Sequence, residues 1–138
     1  MADPLFSITK IATSGLDVQS ARLRIIAENI ANSNSTGRSP GADPYRRKTI
    51  SFEARLGQSG DVDGVRVARI GADRAPFVLK YEPSNLAAGA NGYVKYPNVN
   101  AIVEMADMRE ANRSYEANLQ VYSQAQDLIS QTIDLLRS

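Results

Sequence analysis

The last third of the chain carries a seam that dictates much of what the rest can do. Met105, Met108, Asn112, Tyr115, Leu119, Tyr122, Gln126, Ile129, Ile133 and Leu136 recur with alternating steps of three and four. That spacing places side chains along one edge of a helix and, held over several heptads, winds the helix against another. Asn100 is positioned to cap its N-terminus, and Pro97 to limit it upstream. A helix over residues 101–136 is about 54 Å long at about 1.5 Å per residue. A compact globule of 138 residues is only about 37 Å across. The helix is therefore expected to overrun its own fold and to offer part of its seam to other chains.

A second, shorter stripe runs from Pro4 to about Asn32 through Ile8, Ala12, Leu16, Gln19, Leu23, Ile26 and Ile30, again at helical spacing. It stops where Asn32, Ser33, Asn34, Ser35, Thr36, Gly37, Ser39, Pro40 and Gly41 crowd together, a composition that favours turns and predicts a mobile loop. Between Tyr45 and Tyr96 the period changes to two: Ile50, Phe52 and Ala54 alternate with polar residues, as do Phe77, Leu79 and Tyr81, with a short Val65-Arg66-Val67 run between them. Turn residues at Gly57–Gly64 and Pro83–Gly92 suit a few hairpin strands. The expected fold is mainly α with a small β insert, its N- and C-terminal helices forming an antiparallel coiled-coil-like pair. It divides into an N-terminal helix of the core (1–33), a loop and small β-hairpin element (34–98) and a C-terminal heptad helix of the core (99–138).

The chain has neither cysteine nor histidine, which removes thiol chemistry, disulfides, histidine-liganded zinc and Ser-His-Asp triads. A net charge of +1 removes the broad electrostatic case for nucleic acid. The charge is unevenly spread: residues 1–37 carry three basic and three acidic side chains, 38–99 ten and six, and 100–138 three and six. Opposite-sign segments help neighbouring chains find register, weakly and in a salt-dependent way. The first fifteen residues lack the basic and apolar regions of a signal peptide, so a soluble chain is expected.

Other candidate chemistries have plainer readings. Arg46-Arg47-Lys48 reads as the solvated start of a strand rather than a phosphate contact. Asp61-Val62-Asp63-Gly64 reads as a turn, since the remaining oxygen ligands of a calcium loop are missing. Glu104, Asp107, Glu110 and Glu116 beside Arg109 and Arg113 read as a surface laced with ion pairs, not as an acid and base. Asn112 and Gln126 within the seam are polar residues of the kind that fix register, or else mark a partly exposed seam. No catalytic, cofactor or metal site is expected, and no nucleic acid or small-molecule substrate.

The residues Ser14-Gly15-Leu16, Gln19, Arg22-Leu23, Ile26-Ala27, Asn29-Ile30-Ala31-Asn32 and Ser35-Thr36 resemble the N-terminal signature of the flagellar rod, hook and hook-associated family. Gly92-Tyr93-Val94, Pro97-Asn98-Val99-Asn100, Glu104-Met105, Asp107-Met108 and Arg113–Asn118 resemble the C-terminal half of its proximal-rod members, and Pro44–Lys48 with Tyr81-Glu82-Pro83 extends the likeness. The resemblance implies a structural subunit exported by the flagellar type III apparatus without a cleaved signal. It implies assembly in the periplasmic rod with its own copies, with other rod proteins and with the adaptor at the export gate and MS ring. Expected interface residues are Leu16, Gln19, Leu23, Ile26, Asn29 and Asn32, together with Met105, Met108, Asn112, Tyr115, Leu119, Tyr122, Gln126, Ile129, Ile133 and Leu136. On the residues alone, a coiled-coil adaptor of a cytoplasmic complex and an enzyme with a lysine or carboxylate site remain as alternatives, separable by localisation and by turnover.

Overall fold

Two long helices and two hairpins make up the computed structural model, which describes residues 3–138. They follow in the order α1 (Pro4–Ala31), β1 (Lys48–Leu56), β2 (Val62–Ala72), β3 (Val78–Tyr81), β4 (Tyr93–Tyr96) and α2 (Ala101–Arg137). The expected class and its two helices are present. Proline at the first position of α1 suits a site whose missing N–H has no intrahelical partner, and Asp3 Oδ1 accepts from the Leu5 amide. The capping role read for Asn100 holds as well: its Oδ1 accepts from the amides of Ile102 and Val103 at 3.1 and 3.4 Å.

The strands pair only as hairpins, β1 with β2 and β3 with β4. The first turn closes by the Gly57 amide donating to Asp61 O and the Gly60 amide to Gly57 O, with φ +82° at Gly60. The strand β2 begins at Val62, so the turn is shorter than Gly57–Gly64. In the second hairpin Val78 faces Tyr96 and Tyr81 faces Tyr93. The loop after α1 has no regular structure but is tied by backbone bonds, Tyr45 N to Ser35 O and Gly41 N to Ala87 O among them.

The described chain forms two compact units, and both helices contribute to each. One contains the segments up to Leu23, Ser51–Arg69 and from Arg109 onward; the other contains Arg24–Ile50 and Ile70–Met108. In the first unit the helices run antiparallel: a Cβ placed on Gly15 would lie 2.7 Å from Asn118 Oδ1, and seven residues on, Arg22 meets Glu110 at 3.7 Å. Ala12, Val18, Ala111 and Ala125 are buried there. In the second unit Asn29 meets Glu104, and Ile25, Ile26, Ala87 and Val94 are buried.

Candidate functional site

The seam of α2 divides into two edges. The wholly buried positions are Glu104, Ala111 and Ala125, seven and fourteen residues apart, and half-buried Asn118 completes the row. Small side chains there let the helices approach closely. Of the expected seam, Met108, Tyr115, Tyr122 and Ile129 flank that row and are half-buried. The alternate positions Met105, Asn112, Leu119, Gln126 and Ile133 are exposed, as is Leu136, with Met105 51% and Leu119 47% accessible. The inner face is thus turned about one residue from the repeat, and six of its ten positions are left outside.

On α1 the expected residues lie deeper. Ile26 and Asn29 are buried, while Leu16, Gln19, Leu23 and Asn32 are half-buried. The Gln19 Oε1 atom is buried without a hydrogen-bond partner. Phe6, Ile8 and Ile11 near the N-terminus remain exposed. Ile8 therefore stands off the buried row, which runs through Thr9, Ala12 and Val18 instead.

Polar residues lock the second unit, and here the sequence reading needs correction. Arg47 is no solvated strand residue: its Nε donates to Glu104 Oε1, and its guanidinium lies 3.5 Å from Asp73 and 3.8 Å from Asp107. Nor is Glu104 a surface carboxylate; its accessibility is 0%. A buried carboxylate must be paired and hydrogen-bonded to be tolerated, and Asn29 Nδ2 completes the pairing at 3.4 Å. Asn29 also gives Nδ2 to Lys48 O and accepts at Oδ1 from both Tyr45 Oη and the Lys48 amide.

The neighbours of Arg47 join in. Arg46 stacks over the Phe77 ring at 4.1 Å while donating to Asp73 O; Lys48 Nζ pairs with Glu28. Burial, with Glu28 and Glu104 nearby, pushes the Tyr45 hydroxyl up to about 12. Burial works against the charged form of Arg47, but the hydrogen bond to Glu104 and the three surrounding carboxylates hold it more firmly protonated than usual. This clasp ties α1, β1 and α2 in one place. The sequence carried only a partial trace of it: Glu104 shares a heptad row with Ala111, Asn118 and Ala125, but only burial in the structure shows that this row faces inward.

The first unit has a smaller clip. Asp63 accepts from Lys10 Nζ at 2.5 Å and from Arg55 Nε at 2.8 Å, and Ser14 Oγ accepts from the Val65 amide at 3.0 Å. Among the described residues no group of three acidic side chains could hold a metal ion. Hydrogen bonds from Lys10 and Arg55 hold the Asp63 carboxyl below its ordinary value. The clip is therefore present above pH 3.8 and lost as pH falls below it. Denaturation of Asp63→Asn beside the parent across pH should show a parental advantage at neutral pH that disappears in acid.

Two family models match the chain. The first, described as flagella basal body rod protein, covers residues 10–37, most of α1 and the turn after it. The second, described as flagellar basal body rod FlgEFG protein C-terminal, covers residues 90–135, which is β4 with nearly all of α2. A protein of Agrobacterium fabrum named flagellar basal-body rod protein FlgC is 60% identical over 136 residues, spanning 99% of this chain and 98% of its own. The chain belongs to the FlgC family. FlgC proteins of Salmonella typhimurium, 42% identical over 132 residues, and of Borreliella burgdorferi, 38% identical over 150, align over 95% and 96% of the chain and over nearly all of their own lengths. The FlgC likeness therefore takes in both helices, both hairpins and the clasp residues between them.

Proposed function

We infer that the chain is a structural subunit of the bacterial flagellar basal-body rod. The observation that carries this is the near full-length identity to proteins named as that subunit. The geometry supports a finer reading, in which the subunit polymerises through its terminal helices into a torque-transmitting tube. The outer edge of the seam, Met105, Leu119 and Ile133, is the side presented to neighbouring copies and other rod proteins, with the adaptor at the export gate and MS ring as a further partner. Such faces gain about 25 cal/mol per Å² of apolar surface buried, before ordering costs. Shared among many subunits, that burial gives a stiff shaft. Export by the flagellar type III route into the periplasm belongs to the same reading.

Co-purification with isolated basal bodies, against a strain lacking the protein, tests the subunit reading; cytoplasmic retention with intact rods in the deletion strain would overturn it. Leu119→Asp tests the seam. Its site is open in the monomer, so the chain should fold and accumulate, yet a charge driven into a subunit contact should abolish incorporation and motility. Lys80→Ala, on exposed β3, should incorporate normally. Motile cells carrying Leu119→Asp in their rods would remove this edge from the interface.

A further inference from the structure

The first unit leaves two separate apolar features exposed, one beside α1 and one at the end of α2. One is a slot of about 430 Å³ between Phe6 and Ile11 on α1 and the β1–β2 turn, where Gly57 and Val62 line it. Its volume is on the order of a dozen waters at ~30 Å³ each, and among polar neighbours its wall carries the hydrocarbon of Phe6, Ile11 and Val62, with Phe6 64% and Val62 61% accessible. Asp61 and Lys10 are among the residues that line it, and Lys10 is already engaged by Asp63.

The other feature is the end of α2. With Asn118 opposite Gly15 and Glu110 opposite Arg22, residue 129 falls level with the start of α1 at Pro4. Residues 130–137 run on for about 12 Å at ~1.5 Å each, and every one of them is exposed. Ile133 and Leu136, one turn apart, make an apolar edge flanked by Leu135, with Leu136 83% accessible. These turns lead past the start of α1 whereas the slot flanks its residues 6–11, so one chain cannot fill its own slot.

We propose that the slot takes the last two turns of α2 from a second copy of this chain, with Leu136 and Leu135 against Phe6, Ile11 and Val62, and Arg137 reaching the Asp61 carboxylate. Knob and slot lie on different surfaces, so the contact is heterologous and leads to an open row of subunits rather than a closed dimer. The proposal rests on the polymerising reading above and deepens it by naming one contact.

The chain contains no cysteine, so introduced thiols are its only ones. Cells would express Phe6→Cys and Leu136→Cys chains together, and isolated basal bodies would be treated with a short bismaleimide, with Val62→Cys as a second slot probe and Lys80→Cys as the control. The expected result is a Phe6→Cys to Leu136→Cys adduct, repeated with Val62→Cys and absent with Lys80→Cys; a chain carrying both Phe6→Cys and Leu136→Cys should give a ladder of adducts. Incorporated variants that form no adduct, a Leu136→Cys chain that couples only to its own kind as a dimer, or one that couples only to a different protein, would each overturn the slot while leaving the rod assignment standing. Absence of the unmutated chain from basal bodies would instead undo the rod assignment itself.

Discussion

Arg47→Ala is expected to cost about 3–5 kcal/mol of folding stability, the usual loss when one partner of a buried ion pair is removed. Most of that loss is not the value of the pair itself. It is the penalty for leaving the Glu104 carboxylate at 0% accessibility without its principal cation, with only Asn29 Nδ2 at 3.4 Å remaining. The contrast with a double change makes the point testable. Arg47→Leu combined with Glu104→Leu removes both charges and should regain most of the stability, because well-packed hydrocarbon often matches a buried ion pair. Chemical denaturation at neutral pH of the parent, Arg47→Leu, Glu104→Leu and the double closes the cycle. A loss below about 1 kcal/mol for Arg47→Ala would place the pair among exposed surface bridges.

If the double variant is as stable as the parent, specificity becomes the reason for the clasp. The inner row of α2 consists of Glu104, Ala111, Asn118 and Ala125. Two of its members are alanines, and small side chains two heptads apart give little to distinguish the correct alignment from one slid by fourteen residues. Glu104 and Asn29 do distinguish it: only at the native register does the carboxylate meet Arg47 and the amide meet Tyr45 and the Lys48 backbone. Polar groups at a helix seam have this use elsewhere, trading stability for a unique register. The clasp leaves Met105, Leu119 and Ile133 exposed on the outer edge of α2, the edge proposed above to meet neighbouring subunits.

Periodicity made the fold legible because each element buries one face at its own period. Helical spacing found both helices to within a residue or two, and Asn100 announced the start of α2 through its capping side chain. The choice of inner face was harder to read. An apolar repeat marks where hydrocarbon lies, but Met105, Leu119 and Ile133 are hydrocarbon facing outward, whereas the inner row is small and polar. The clasp was hidden for a related reason: Arg46-Arg47-Lys48 has the composition of a surface strand, and only the third dimension brings Glu104 and Glu28 to it. Alternating residues located β1 and β3 but gave no sign that β3 would be exposed along its whole length.

Gly64→Val should destabilise the chain by about 2–6 kcal/mol, from two costs of about 1–3 kcal/mol each, backbone strain and overpacking. Gly64 has φ +153°, and a Cβ there would lie 2.5 Å from Ser14 Oγ and 2.9 Å from an Arg55 nitrogen. Ser14 cannot simply swing aside: its Oγ accepts from the Val65 amide at 3.0 Å and donates to Ile11 O at 2.7 Å. The glycine is what lets β2 press against α1, so the branched side chain should prise the hairpin off the helix and break the Lys10–Asp63 pair with it. Gly60→Val separates the two costs, since Gly60 also has positive φ, +82°, but faces open space; it should lose the strain alone. Hydrogen exchange at the Val65 amide reads the hairpin directly, with protection lost in Gly64→Val and kept in Gly60→Val. Equal stability losses in the two variants, with Val65 still protected in both, would show that the contact between β2 and α1 has room for a side chain after all.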